Sequence, residues 1–156
     1  MLRIGKLTDY GVVVLNVLAE AGAVKLSGED IAARTGLAMP TVRKVMKALA
    51  DAGLVLAQRG ARGGYRIGRA PSQIRMLDVV QAFEGPVAVT DCAADTDLCD
   101  ITDSCSLASH WGGINQLITQ VLSRITLADI RQPERQQKLV KEALPLTSFI
   151  ELVNLG

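Results

Sequence analysis

Helix starts and stops follow one another so closely between Lys6 and Ile67 that this stretch has room for three helices and one hairpin. Leu7, Val14, Leu15 and Leu18 recur near helical spacing and predict a helix over 6–21, with Gly22 as its stop. Ser27 precedes Glu29, Asp30 and Ile31, which places acidic residues where a helix N-terminus favours them. That second helix ends at Thr35-Gly36. A third starts at Pro40, tolerated in a first turn because its missing N–H would have no intrahelical partner, and runs to about Ala52. Leu54–Gln58 and Tyr65–Ile67 are strand candidates around the turn Arg59-Gly60-Ala61-Arg62-Gly63-Gly64, and together they read as a hairpin.

Two helices joined through Gly36–Met39 and followed by a hairpin describe a winged helix-turn-helix. In the third helix Val42, Val45, Met46 and Leu49 share one side and would pack on the preceding helices. The other side presents Lys44 and Lys47, flanked by Thr41 and Arg43. Side chains near the start of such a helix reach base edges in the major groove, while Lys and Arg neutralise phosphates. The turn adds Arg59, Arg62 and Arg66 among glycines, a setting suited to phosphate or minor-groove contact. The DNA-contacting candidates are therefore Thr41, Arg43, Lys44, Lys47, Arg59 and Arg62.

Charge divides along the same line. The whole chain carries a formal +1, yet residues 1–69 hold 11 Lys+Arg against 5 Asp+Glu, and residues 70–156 hold 6 against 11. A basic first half points to a polyanionic partner for that half alone. No apolar run reaches the length of a membrane helix, and the first residues lack a secretory signal pattern, so a cytoplasmic protein is expected. No nucleophile–base pair, phosphate loop or paired catalytic carboxylates stands out, and an enzyme is not expected.

Pro71 opens a further helix, with Ile74, Leu77 and Val80 toward the core, ending before Gly85-Pro86. Residues 86–107 then change character: they carry Cys92, Cys99 and Cys105 and five aspartates, with no Lys or Arg. Three cysteines cannot pair within one chain, and clustered thiolates are soft ligands for an iron–sulfur cluster or for zinc. Six residues separate the first two cysteines and five the second pair, wider than zinc-finger spacing. The run from Asp95 lacks the central glycine and closing glutamate of a calcium loop. A long helix returns over 108–130, with Ile114, Leu117, Ile118, Val121, Leu122 and Ile125 at spacings of three and four. The expected organisation is a winged domain over 1–84, a cysteine loop over 85–107, a dimerisation element over 108–131 and a tail over 132–156. The fold class is mainly α with a small β-hairpin.

Leu7-Thr8-Asp9-Tyr10, the segment from Gly36 to Val55, the turn from Arg59 to Tyr65 and the cysteine triplet together resemble the IscR/NsrR-type family of iron–sulfur transcription regulators, most closely the branch serving SUF-type cluster assembly. The resemblance covers roughly residues 1–130. It implies a homodimer bridged by the long helix, a double-stranded DNA operator, and a cluster held near the second copy's first helix. In one branch a histidine three positions after the last cysteine completes the ligand set. Here that position is Ala108, and His110 lies two residues further on. In the other branch the fourth ligand is the aspartate of a Thr-Asp pair, matched by Thr8-Asp9, so the resemblance favours Asp9 and a four-iron over a two-iron cluster. The expected function is a repressor that senses cluster status and controls cluster-assembly genes. The alternatives are a nitric-oxide- or redox-responsive repressor, a metal-free thiol sensor, and a cluster carrier that uses its winged domain for protein contacts.

Overall fold

The computed structural model of the chain describes residues 4–60, 63–90, 105–132 and 134–135. In order, the elements are α1 (Lys6–Ala21), α2 (Gly28–Thr35), α3 (Met39–Asp51), β1 (Val55–Gln58), β2 (Gly64–Ile67), a 3₁₀ turn (Pro71–Gln73), α4 (Met76–Glu84), α5 (Ala108–Arg124) and α6 (Leu127–Ile130). The expected mainly helical fold with one hairpin is present, and the first three helices begin and end within a residue of their predicted limits.

Local chemistry fixes those limits. At the start of α2 the Ser27 hydroxyl accepts from the Asp30 amide at 3.0 Å, and the Asp30 carboxylate accepts from the Ser27 amide at 2.9 Å. This reciprocal cap satisfies two otherwise orphaned donors. It also holds the exposed Asp30 carboxyl below its usual pKa, through the Ser27 backbone and then side-chain hydrogen bonds. The helix stops at Gly36, whose left-handed φ of 71° turns its amide back onto the Ala32 carbonyl. The strands pair antiparallel, with Val55 opposite Ile67 and Gln58 opposite Gly64. Leu26 bridges to Tyr65 on the other side of β2. A Cβ at Gly64, where φ is 141°, would stand 2.9 Å from the Leu26 carbonyl oxygen, so this approach requires glycine.

The core gathers Val14, Leu15 and Leu18 of α1, Ile31 of α2, and the predicted Val42, Val45, Met46 and Leu49 of α3. From α4, Val79 joins the same core. α1 and α4 meet closely, because a Cβ on Gly11 would come within 2.7 Å of Phe83 Cζ. Gly11→Ala is therefore expected to destabilise the protein. Alanine gains about 1 kcal/mol in helix propensity, but overpacking against a ring costs about 1–3 kcal/mol. A fall in melting temperature checks this, and restoration by Phe83→Leu in the same chain would identify the cause.

Two expected helices are corrected. The helix predicted from Pro71 is a 3₁₀ turn, then extended backbone at Ile74 and Arg75, then α4 from Met76. Leu77 is only half-buried, while Met76, Val79 and Val80 point inward. The helix predicted over 108–130 ends at Arg124, and Ile125 is extended. One interaction causes both departures. The Leu127 amide donates to the Ile74 carbonyl and the Met76 amide to the Ile125 carbonyl, each at 2.8 Å, with Arg75 and Thr126 bridged antiparallel. Past this junction α6 starts on its own cap, where Thr126 accepts from the Asp129 amide and Asp129 accepts from the Thr126 amide at 2.9 Å. Burial opposes ionisation of Asp129, but hydrogen bonds from Thr126 and the nearby Arg135 guanidinium outweigh it and hold the carboxyl below its usual range. Leu127 is fully buried, so the end of α5 is fastened into the core of the winged domain.

Candidate functional site

On α3 the residues that fill the core leave Arg43, Lys44 and Lys47 exposed, with Thr41 half-buried at the first turn. Arg59 is exposed at the tip end of β1, and Arg62 lies outside the described residues. Arg43, Lys47 and Arg59 line one open groove between α3 and the hairpin, about 610 Å³ in volume, together with Tyr65 and Asp51. Lys44 faces a separate hollow on the far side of α3, shared with Lys47, Asp51 and Ala82. Lys47 Nζ lies 2.6 Å from Asp51 Oδ2, a hydrogen bond that, with the opposite charge, holds the ammonium pKa above its usual value.

Among the lining residues that sequence reasoning missed are Ser27 and Gly28 at the start of α2. Their capping signal was legible. Their position beside the hairpin depends on the long-range Leu26–Tyr65 bridge.

Of the candidate cluster ligands, Cys105 is a half-buried free thiol just ahead of α5. Cys92 and Cys99 lie outside the described residues. Asp9 is exposed in the first turn of α1, at the edge of an apolar cleft of about 480 Å³ lined by Ile4, Val12, Val80, Leu122 and Ile130. His110 is exposed on α5. Among the described residues no three His, Cys, Asp or Glu side chains converge within the single chain. The N-terminus of α1 is tied to the end of α4 by Glu84, whose carboxylate accepts from the Gly5 amide at 3.0 Å and from the buried Thr8 hydroxyl. α4 is the last helix before the cysteine segment, so its final residue fixes the start of α1, on which Asp9 lies.

α5 packs on α4 and keeps a second apolar face uncovered. Trp111, Ile114, Leu117 and Val121 are exposed there, Leu117 by 63%. No helix among the described residues is long and apolar enough to cross a membrane.

A three-helix core with a two-stranded wing beside an exposed basic helix defines a winged-helix regulator. The chain belongs to the Rrf2 family, described as iron-dependent transcriptional regulators, whose model matches residues 4–133. Its members are transcriptional regulators and not enzymes. Among solved structures it is similar to CymR, the global cysteine regulator of B. subtilis, at 28% identity and a TM-score of 0.66 over 83% of this chain and 96% of that one. It is also similar to IscR of T. potens, at 31% identity and a TM-score of 0.61 over 85% of this chain and 88% of that one.

Proposed function

We propose that this chain is a homodimeric, iron–sulfur-responsive repressor that binds a double-stranded operator through α3 and the wing and controls SUF-type cluster-assembly genes. The observation that carries the reading is the groove in which Arg43, Lys47 and Arg59 converge from two elements. It lies on the same core into which the end of the cysteine-proximal helix is fastened at Leu127. Arg43 and Lys44, with Thr41, take base edges and phosphates, and Arg59 and Arg62 take the backbone beside them. The SUF assignment rests on the resemblance of the first-helix, wing and cysteine segments.

The donor set suits an iron–sulfur group: thiolates are soft ligands, and Cys105 is a free, half-buried thiol. Cys92, Cys99 and Cys105 would hold the group, with Asp9 from a second copy as the fourth donor. A bound cluster would supply a cross-link between the cysteine segment and the start of α1 in the second copy. The chain's own part is to tie that cross-link to the reading head. Glu84 holds the start of α1 against the root of the cysteine segment, and α1 packs against α3. A ligand switches DNA affinity only if it binds the two conformations unequally, and this tie lets a change at Asp9 reposition α1. The free Cys105 also suits a second reading, a thiol sensor without metal, which a colourless protein after anaerobic purification would favour.

Salt titration tests the DNA contacts. Arg59→Ala and Arg62→Ala are each expected to weaken operator binding and lower the slope of log K against log salt by about one, the loss of one phosphate contact. Unchanged affinity and slope in both variants would remove the wing from the interface.

A further inference from the structure

We propose that Asp51 is a specificity-setting counter-charge in the α3–wing groove, which occupies Lys47 in the free protein and thereby weakens sequence-independent DNA binding more than operator binding. The inference deepens the DNA-binding reading and rests on it.

Helix stability does not explain this residue. Asp51 is the last residue of α3, at the negative end of the helix dipole, where a carboxylate is disfavoured. Its partner Lys47 stands four residues earlier, the less favourable order for a helical ion pair. Both side chains are largely exposed, so water already solvates them and the pair adds little to folding. Asp51 is also the one acidic residue of α3 and the one acidic side chain among the described residues lining the groove, where Arg43 and Arg59 face the same space. The carboxylate thus stands where a polyanion would approach.

A phosphate that recruits Lys47 must displace Asp51 and then lie near an unpaired carboxylate. Sequence-independent binding is almost wholly phosphate contact, so it bears this penalty in full. Operator binding draws on base contacts from the start of α3, remote from Asp51, which fix the duplex in a register that leaves Lys47 on Asp51, so it bears less of the penalty. Specificity is the difference of the two affinities, and a repulsive group that weakens the wrong complex more than the right one raises it.

The test uses the full-length chain with two duplexes, one of mixed sequence and one recovered by in-vitro selection with the wild-type protein. Asp51→Asn is expected to bind the mixed-sequence duplex about two- to fivefold tighter, the range an exposed ion pair commands. Its salt slope should steepen by about one as Lys47 is released to a phosphate. The selected duplex should gain less, so the affinity ratio between duplexes falls. In a Lys47→Ala background the effect of Asp51→Asn should largely vanish. Equal gains on both duplexes, no change in either slope, or an undiminished effect without Lys47 would each overturn the proposal. A wild-type protein with no salt-dependent binding to either duplex would instead sink the DNA-binding reading beneath it. The melting temperature of Asp51→Asn should be unchanged or higher, which separates these outcomes from misfolding.

Discussion

Anaerobically purified Cys105→Ala protein is expected to lose the visible chromophore of the wild type, with its iron and acid-labile sulfide, while remaining folded and dimeric. Cys105 is a half-buried residue outside the hydrophobic core, so the substitution removes a ligand without opening a core cavity. Three thiolates are the whole soft donor set that the segment offers, and removal of any one leaves only two thiolates to hold the group. Cys92→Ala and Cys99→Ala should therefore behave alike. The regulatory consequence is large. Allosteric coupling is typically worth about 5- to 150-fold in affinity, and in these variants the ratio of operator affinities between reconstituted and apo protein should fall to about one. Asp9→Ala should give a milder phenotype: altered absorption, faster bleaching in air and a shifted operator affinity, because an oxygen donor binds such iron more weakly than sulfur. His110→Ala should be nearly silent, and the reverse pattern would transfer the fourth position to His110. Stoichiometric zinc without sulfide in the native protein would end the iron–sulfur reading altogether.

The parts of this molecule that were legible in its sequence are those decided within a few residues. Ser27 with Asp30, Gly22 and Gly36 act on neighbouring amides and carbonyls, so their spacing alone sets where α1 ends and where α2 begins and ends. The exposed basic face of α3 was legible for a related reason: once Val42, Val45, Met46 and Leu49 are assigned to the core, the exposed positions follow from helical geometry. The junction of Ile74–Met76 with Ile125–Leu127 was not legible, because it joins segments some fifty residues apart through backbone groups that every residue carries. Ile125 even continues the apolar spacing of α5, so periodicity runs smoothly through the true break. The local signal that marks it is the Thr126–Asp129 cap, a Thr-x-x-Asp pattern of the same kind as Ser27–Asp30. Glu84 misleads in another way: a carboxylate at a helix end reads as solvated, yet it accepts from an amide 79 residues earlier. The cysteines were legible as chemistry but not as geometry, since ligand type can be read from a residue and convergence cannot.

Leu117→Asp and Val121→Asp are expected to convert the protein from dimer to monomer. At 17 residues α5 is about 26 Å long, shorter than the rod expected from the sequence but still sufficient for a helix–helix seam. Leu122 packs against the core, and this side of α5 needs no partner. Trp111, Ile114, Leu117 and Val121 lie at spacings of three and four on another face and remain exposed. A contiguous apolar strip of this kind on a small protein marks an interface. In a two-fold dimer each substitution enters twice. Losing the burial of one such side chain costs about 1.5–3 kcal/mol per subunit, so dimer affinity should fall by about a hundredfold or more before the cost of confining two carboxylates is counted. Sedimentation equilibrium reads this directly. Gln120→Asp, on the exposed polar side of the same helix, should leave the dimer intact and shows that added charge alone is not the cause. Operator affinity should fall with the dimer, since two linked reading heads engage paired half-sites and a monomer retains only one. Cluster content offers a further check on the same variants. If Asp9 completes the ligand set across the dimer, monomeric Val121→Asp should also bleach faster in air, whereas a fourth donor from within the chain predicts no change. Variants that still sediment as dimers would place the interface elsewhere on the molecule.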